Sequence, residues 1–182
     1  MEYKDVIVAK VGEIQPGDMK QIAVEGGEIL LVNRDGQISA LGAHCPHYEA
    51  ELVKGVLVGD TIVCPWHQAC FCAKSGDLKE PPALNALPSY AVTIQGDDIL
   101  VKLPDKLKKS RIPDMASYNP QNDARTFVIV GAGAAGNAAV QTLREDGFQG
   151  RIIMISHEPH LPYDRPNLTK TYLQGEAPKE WL

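Results

Sequence analysis

The feature that most limits what this chain can fold into is a pair of short segments, Cys45-Pro46-His47 and Cys64-Pro65-Trp66-His67, with 16 residues between His47 and Cys64. Each Cys/His pair is too tightly spaced to build a site on a flat strand surface. At the tip of a loop, the same pair presents one thiol and one imidazole to a shared centre. A proline follows each cysteine, fixing φ and removing an N–H that would need a partner. Any fold that uses all four side chains must therefore set two loop tips side by side. The bland alternative is two buried cysteines and two incidental histidines. In a chain with five histidines, a doubled pattern with a matched proline argues against coincidence.

The surrounding sequence supplies a scaffold of that kind. Short apolar runs separated by turns are expected as strands over Val6–Lys10, Gln21–Val24, Ile29–Asn33, Gln37–Gly42, Val56–Val58, Thr61–Val63, Tyr90–Ile94 and Ile99–Leu103. "NRDGQ" and "QGDD" read as hairpin turns. Tyr90, Val92 and Ile94 alternate with small or polar residues, as do Ile99, Val101 and Leu103 with their neighbours, the pattern of half-buried strands. With no helical period before residue 104, residues 1–103 are expected as an all-β domain, a small sandwich or barrel.

Two metals suit two cysteines and two histidines. Zinc fingers usually take cysteines as one pair along the chain and histidines as another. Here each segment contributes one of each, the order of a Rieske [2Fe–2S] centre, in which one iron has two cysteines and the other two histidines. Cys-Pro-His…Cys-Pro-Trp-His in an all-β region resembles the Rieske ferredoxin-type family. The resemblance implies that Cys45 and Cys64 bind one iron and His47 and His67 the other. Two thiolates neutralise a core of two sulfide-bridged ferric ions, whereas four would leave it negative, so the mixed set accepts an electron more readily. Ala50 and Trp66 occupy the places of the extra cysteines that form a disulfide in respiratory members, which implies the disulfide-free, lower-potential subtype. Gln68 stands where many members have glycine, and Ala69 where some have a hydroxyl residue bonded to a sulfide. Cys70 and Cys72, as Cys-Phe-Cys, are expected on a strand, both facing away from Phe71, as free thiols rather than ligands.

Residues 104–124 hold three prolines and a basic cluster of Lys106, Lys108, Lys109 and Arg111 without sustained apolar periodicity. They are expected to be a linker with a solvated basic run. A new pattern follows: an apolar strand at Phe127–Val130, an alanine-rich helix from Ala134 to Glu145 and a second strand over 151–156. Gly131-x-Gly133-x-x-Gly136 lies in the turn, and Glu158 follows the second strand, 22 residues past Gly136. That context matches the dinucleotide fingerprint, with helix N–H groups toward a pyrophosphate and an acidic side chain toward the ribose. A plain glycine-rich β-α turn is the alternative.

"EPHLPYDRPNLTKTYL" is similar to the segment after the first β-α-β unit in FAD-dependent pyridine-nucleotide oxidoreductases of the ferredoxin-reductase and apoptosis-inducing-factor-like group. The resemblance implies that Arg165 and Lys170 lie along FAD. Thr169 replaces the usual serine and Asn167 the usual proline. Residues 125–182 are too few for a full doubly wound core. The expectation is the N-terminal part of an FAD-binding Rossmann-type domain, with NAD(P)H the substrate of a domain beyond it.

The net charge of −5 argues against nucleic acid as partner. Residues 1–103 carry −6 and residues 104–182 carry +1, so the acidity lies in the first part and suits a redox partner protein with a basic patch. No apolar run approaches membrane-spanning length, and the start, MEYKDVIVAKVGE, has no signal pattern, so the chain is read as cytoplasmic. The leading expectation is one-electron carriage through a Rieske cluster, as the N-terminal portion of an NAD(P)H/FAD-dependent reductase, with no bond-making catalysis by this chain alone. The alternatives are a stand-alone Rieske ferredoxin carrying electrons to an oxygenase or reductase, and a zinc-stabilised interaction domain.

Overall fold

Ile29-Leu30-Leu31-Val32 is apolar without alternation because these residues lie between two cores. In the computed structural model, which describes residues 2–163 and 165–176, Ile29 and Leu31 pack with Ala40, Ile99, Val101 and Leu103. Leu30 and Val32 point the other way and pack with Leu41, Leu52, Ile62, Phe71 and Leu87. A strand covered on both faces has no polar side to show. The chain divides between Pro113 and Asp114 into two compact units.

The first unit has ten strands: β1 (Tyr3–Lys10), β2 (Met19–Val24), β3 (Gly27–Arg34), β4 (Gln37–Gly42), β5 (Val56–Val58), β6 (Thr61–Val63), β7 (Cys70–Cys72), β8 (Leu78–Glu80), β9 (Ser89–Gln95) and β10 (Asp98–Pro104). Six form an antiparallel sheet in the order β1-β10-β9-β4-β3-β2, and four form a smaller antiparallel sheet, β5-β6-β7-β8. This is the all-β fold expected, with eight strands where the apolar runs placed them, give or take their ends. β8, Leu-Lys-Glu, was not expected because one apolar residue beside two charged ones gives no strand signal. At the β3–β4 hairpin, Asp35 and Gly36 both have positive φ, at 50° and 89°, and the Gly36 N–H donates to Asn33 Oδ1 at 2.8 Å. Buried Asn33 is satisfied in turn by donating from Nδ2 to the Ile14 carbonyl at 2.7 Å.

The stretch expected as a linker, 104–124, is held at both ends. Leu107 packs against the core of the large sheet. Lys109 and Arg111, read as part of a solvated run, pair with Glu49 and Asp77. Further on, the Ala116 N–H donates to the Arg144 carbonyl and the Asn119 N–H to the Gln149 carbonyl, each at 2.8 Å. Backbone hydrogen bonds and ion pairs anchor an extended segment without any apolar period, so the sequence pattern did not show them.

The second unit contains β11 (Thr126–Val130) and β12 (Arg151–Ile155), paired in parallel, with α1 (Ala134–Glu145) between them. The helix bounds are those read from the alanine-rich run. The glycine turn is tight. Gly131 has φ of 108°, and a Cβ on Gly136 would stand 1.9 Å from the Gly131 carbonyl oxygen. Gly136→Ala is therefore expected to push the helix off the strand at a cost of about 1–3 kcal/mol. Faster amide exchange in β11 and α1, with β1–β10 unaffected, would be the readout. Val128 and Val130 stay exposed on β11, Val130 at 83%. Among the described residues no helix is long and apolar enough to cross a membrane.

Candidate metal centre

The two Cys/His segments become two loops of the same shape. The first follows β4 and the second joins β6 to β7. In the first, the Cys45 N–H donates to the Ala50 carbonyl at 2.9 Å and the Glu49 N–H to the Cys45 carbonyl at 2.8 Å. In the second, the Cys64 N–H donates to Ala69 at 2.9 Å and the Gln68 N–H to Cys64 at 3.2 Å. Glu49 and Gln68 occupy matching places with φ of 60° and 62°. Laid side by side, Cys-Pro-His-Tyr-Glu-Ala and Cys-Pro-Trp-His-Gln-Ala share a six-residue frame. The shared Cys-Pro start and closing alanine are the sequence signal of this frame.

Gln68 bears on the departure from glycine noted above. A left-handed backbone costs a side-chain-bearing residue about 1–2 kcal/mol, and glycine gives part of that back through its own chain entropy. Gln68→Gly is expected to raise stability by about 0.5–1 kcal/mol, read as a higher midpoint in chemical denaturation.

The frame places unlike ligand positions so that like side chains meet. Cys45 and Cys64 are both buried in the same core, and their thiols are close enough to act on each other's charge. His47 and His67 face each other with ring centroids 4.9 Å apart at 75°. Burial pushes the Cys45 thiol up to about 11, the backbone N–H groups of His47 and Tyr48 pull it down, and the neighbouring Cys64 raises it. Those N–H groups point at sulfur, so they would stabilise a thiolate once a metal replaced the proton. The histidine in one loop stands third and in the other fourth, which lets two equivalent frames bring the imidazoles together. His67 is exposed and His47 half-buried. Tyr48 packs on both, with centroids 4.3 Å from His47 and 5.8 Å from His67. Trp66, 60% exposed, stands edge-on to His67 at 6.3 Å.

Among the described residues no group of three or more His, Cys, Asp or Glu side chains gathers as a single ion would need. A pair of thiols and a separate pair of imidazoles suit two metals bridged to each other. Cys70 and Cys72 lie on β7, half-buried on the face opposite Phe71. The Cys70 thiol donates to the Gln68 carbonyl at 3.3 Å. Burial raises the Cys72 thiol, but the Ser75 hydroxyl, the Ser75 and Lys74 N–H groups and Lys79 together leave it below its ordinary value.

A model of the Rieske [2Fe-2S] domain matches residues 4–91, and a model of the pyridine nucleotide-disulphide oxidoreductase family matches residues 125–182. The biphenyl dioxygenase ferredoxin subunit of Pseudomonas sp. (strain KKS102) is 35% identical over 92 residues, covering 50% of this chain and 84% of that protein. The chain belongs to the Rieske [2Fe–2S] family, with the start of a pyridine nucleotide-disulphide oxidoreductase domain behind the Rieske unit. Both units together are matched by apoptosis-inducing factor 3 of Homo sapiens, 38% identical over 176 residues. That match covers 92% of this chain and 29% of the human protein, so the chain spans under a third of that relative's length. The ferredoxin of carbazole 1,9a-dioxygenase from Nocardioides aromaticivorans IC177 superposes on the Rieske unit with a TM-score of 0.51 at 30% identity, covering 53% of this chain and 95% of that one. The Rieske unit is an electron-transfer domain whose cofactor is a [2Fe–2S] cluster, and FAD and NAD(P)H are the cofactors of the family joined to it.

In the second unit the structure groups two of the residues expected near FAD. The Glu158 carboxylate accepts from the Tyr163 hydroxyl at 3.0 Å and from Arg165 at 2.6 Å. Gly131 and Gly133 lie in the turn into α1 and Gly136 in the first turn of the helix, and Lys170 lies on the segment Leu168–Tyr172. Asp164 falls outside the described residues.

Proposed function

We propose that Cys45 and Cys64 hold one iron of the [2Fe–2S] cluster and His47 and His67 the other, and that this chain carries single electrons through it. The observation that carries this reading is the like-with-like pairing: thiol beside thiol at the buried end, imidazole beside imidazole at the exposed end. When bound, the cluster supplies a one-electron redox couple at higher potential than an all-cysteine cluster. The residues of this chain do the rest. The loop N–H groups stabilise thiolate charge, burial of Cys45 and Cys64 keeps water from the sulfur side, and His67 with Tyr48 and Trp66 forms the edge a redox partner approaches.

In the longer protein, electrons pass between NAD(P)H, FAD and this cluster. The Gly131–Gly136 turn receives the FAD pyrophosphate, Glu158 its ribose, and Arg165 and Lys170 lie along the cofactor. The Glu158–Arg165 pair then has to open for Glu158 to meet the ribose. The partner is a redox protein with a basic patch and the compartment is the cytoplasm, a reducing setting in which Cys70 and Cys72 stay thiols. A second reading, a ferredoxin serving an oxygenase, is favoured by the coverage of the biphenyl dioxygenase ferredoxin subunit.

The test is iron, acid-labile sulfide and zinc analysis of the purified chain, with EPR after reduction. Two irons and two sulfides per chain are expected, with the EPR signal of a mixed-ligand cluster. Zinc without sulfide would overturn the proposal. Reduction by NAD(P)H in the longer protein, dependent on FAD, separates the reductase reading from the ferredoxin one.

A further inference from the structure

The segment that leaves β10 ties the Rieske unit together. Leu107 anchors it on the core of the large sheet. It then crosses to the elements that carry the metal-binding loops. Lys109 pairs with Glu49, two residues after His47 in the first loop. Arg111 exchanges two backbone hydrogen bonds with Ala86, each 2.8 Å, and its guanidinium pairs with Asp77 and reaches the Ser75 carbonyl at 3.4 Å. Asp77 belongs to the turn after β7, the strand that begins where the second loop ends, and its carbonyl accepts the Cys72 N–H at 2.7 Å. One segment thus contacts the large sheet, the first loop and the turn at the far end of β7, the strand that the second loop leads into.

We propose that residues 105–113 form a strap in which Lys109 and Arg111 are positioning residues, holding the two loops in register so that the four-ligand cage stays closed. The proposal rests on the reading of Cys45, His47, Cys64 and His67 as cluster ligands. The cage is assembled from two loops separate in sequence, and local opening of either one exposes the cluster to loss. The two clamps differ in weight. Lys109 and Glu49 are 84% and 61% exposed along their side chains, so that pair shifts an equilibrium by no more than about fivefold. The Arg111 side chain is 30% exposed and backed by the reciprocal backbone bonds, so it carries more. The Ser75 hydroxyl and Arg111 hold the Asp77 carboxyl below its usual range, which keeps the pair charged.

The test uses the full chain loaded with its cluster. Iron release to a ferrous chelator under reducing conditions is followed by the loss of visible absorbance. Arg111→Ala is expected to speed release about fivefold to tenfold and to broaden the EPR lines of the reduced cluster. Lys109→Glu and Glu49→Lys are each expected to speed it about threefold, and the double exchange to restore the rate. Should Arg111→Ala fail to fold, the exposed Lys109/Glu49 exchange carries the test alone. Release at the wild-type rate in every variant, or a double exchange no slower than the singles, would overturn the strap. Wild-type chain that takes up no iron and sulfide would overturn the ligand reading instead.

Discussion

Cys64→Ala is expected to abolish the cluster, leaving a chain with no visible absorbance, no acid-labile sulfide and no EPR signal on reduction. Cys64 is buried against Cys45, and no other thiol stands ready to replace it. Cys70 and Cys72 sit on the outer face of the small sheet, with the Cys70 thiol turned to the Gln68 carbonyl. His67→Cys makes the complementary test. The thiolate keeps a ligand at the exposed iron but adds a negative charge, so the cluster is expected to persist with its potential lowered by a few hundred mV, toward all-cysteine values. An unchanged potential would show that His67 does not touch the metal. Potentiometric titration of His67→Cys beside the wild type decides the matter.

Phe71→Ala is expected to cost about 3–5 kcal/mol, the largest purely structural effect in the Rieske unit. Phe71 is fully buried at the centre of the core that joins β3 and β4 to the small sheet, beside Leu30, Leu41, Ile62 and Leu87. Cys45 and Cys64, the cysteines proposed as ligands, belong to that same cluster of buried side chains. The cavity left by the ring would loosen the base on which both loops stand. Chemical denaturation of the apo chain should show the loss, and the holo chain should show less of it, because a ligand that binds only the folded state offsets destabilisation. Phe71→Leu should cost markedly less. Equal stability of Phe71→Ala and wild type would remove the small-sheet core as the support of the site.

Much of the site was legible because its chemistry is local. Two Cys-Pro pairs, each with a histidine two or three positions on, name the candidate ligands without any coordinates. The Gly131-x-Gly133-x-x-Gly136 turn likewise states its own geometry, since a Cβ at Gly136 has no room. The alternating runs placed most strands for the same reason: one exposed face forces a period of two. Ile29–Val32 showed no period because it has no exposed face. Lys109 and Arg111 looked solvated because their partners, Glu49 and Asp77, lie 60 and 34 residues away. Nothing in the local pattern of a proline-containing stretch reports a distant carboxylate.

What the sequence by itself determined is the inventory of candidate ligands, the all-β character of the first unit, the β-α-β turn of the second and the balance of charge between them. All of these follow from residue type and near-neighbour spacing. Tertiary structure alone decided how the inventory is sorted. The matched loop frames close on Ala50 and Ala69, the offset of one position between the histidines turns imidazole toward imidazole, and the thiols meet in the core beneath. The order of cysteine and histidine along the chain leaves open which side chain faces which. That is settled by the packing of the large sheet on the small one, which fixes the position of one loop relative to the other.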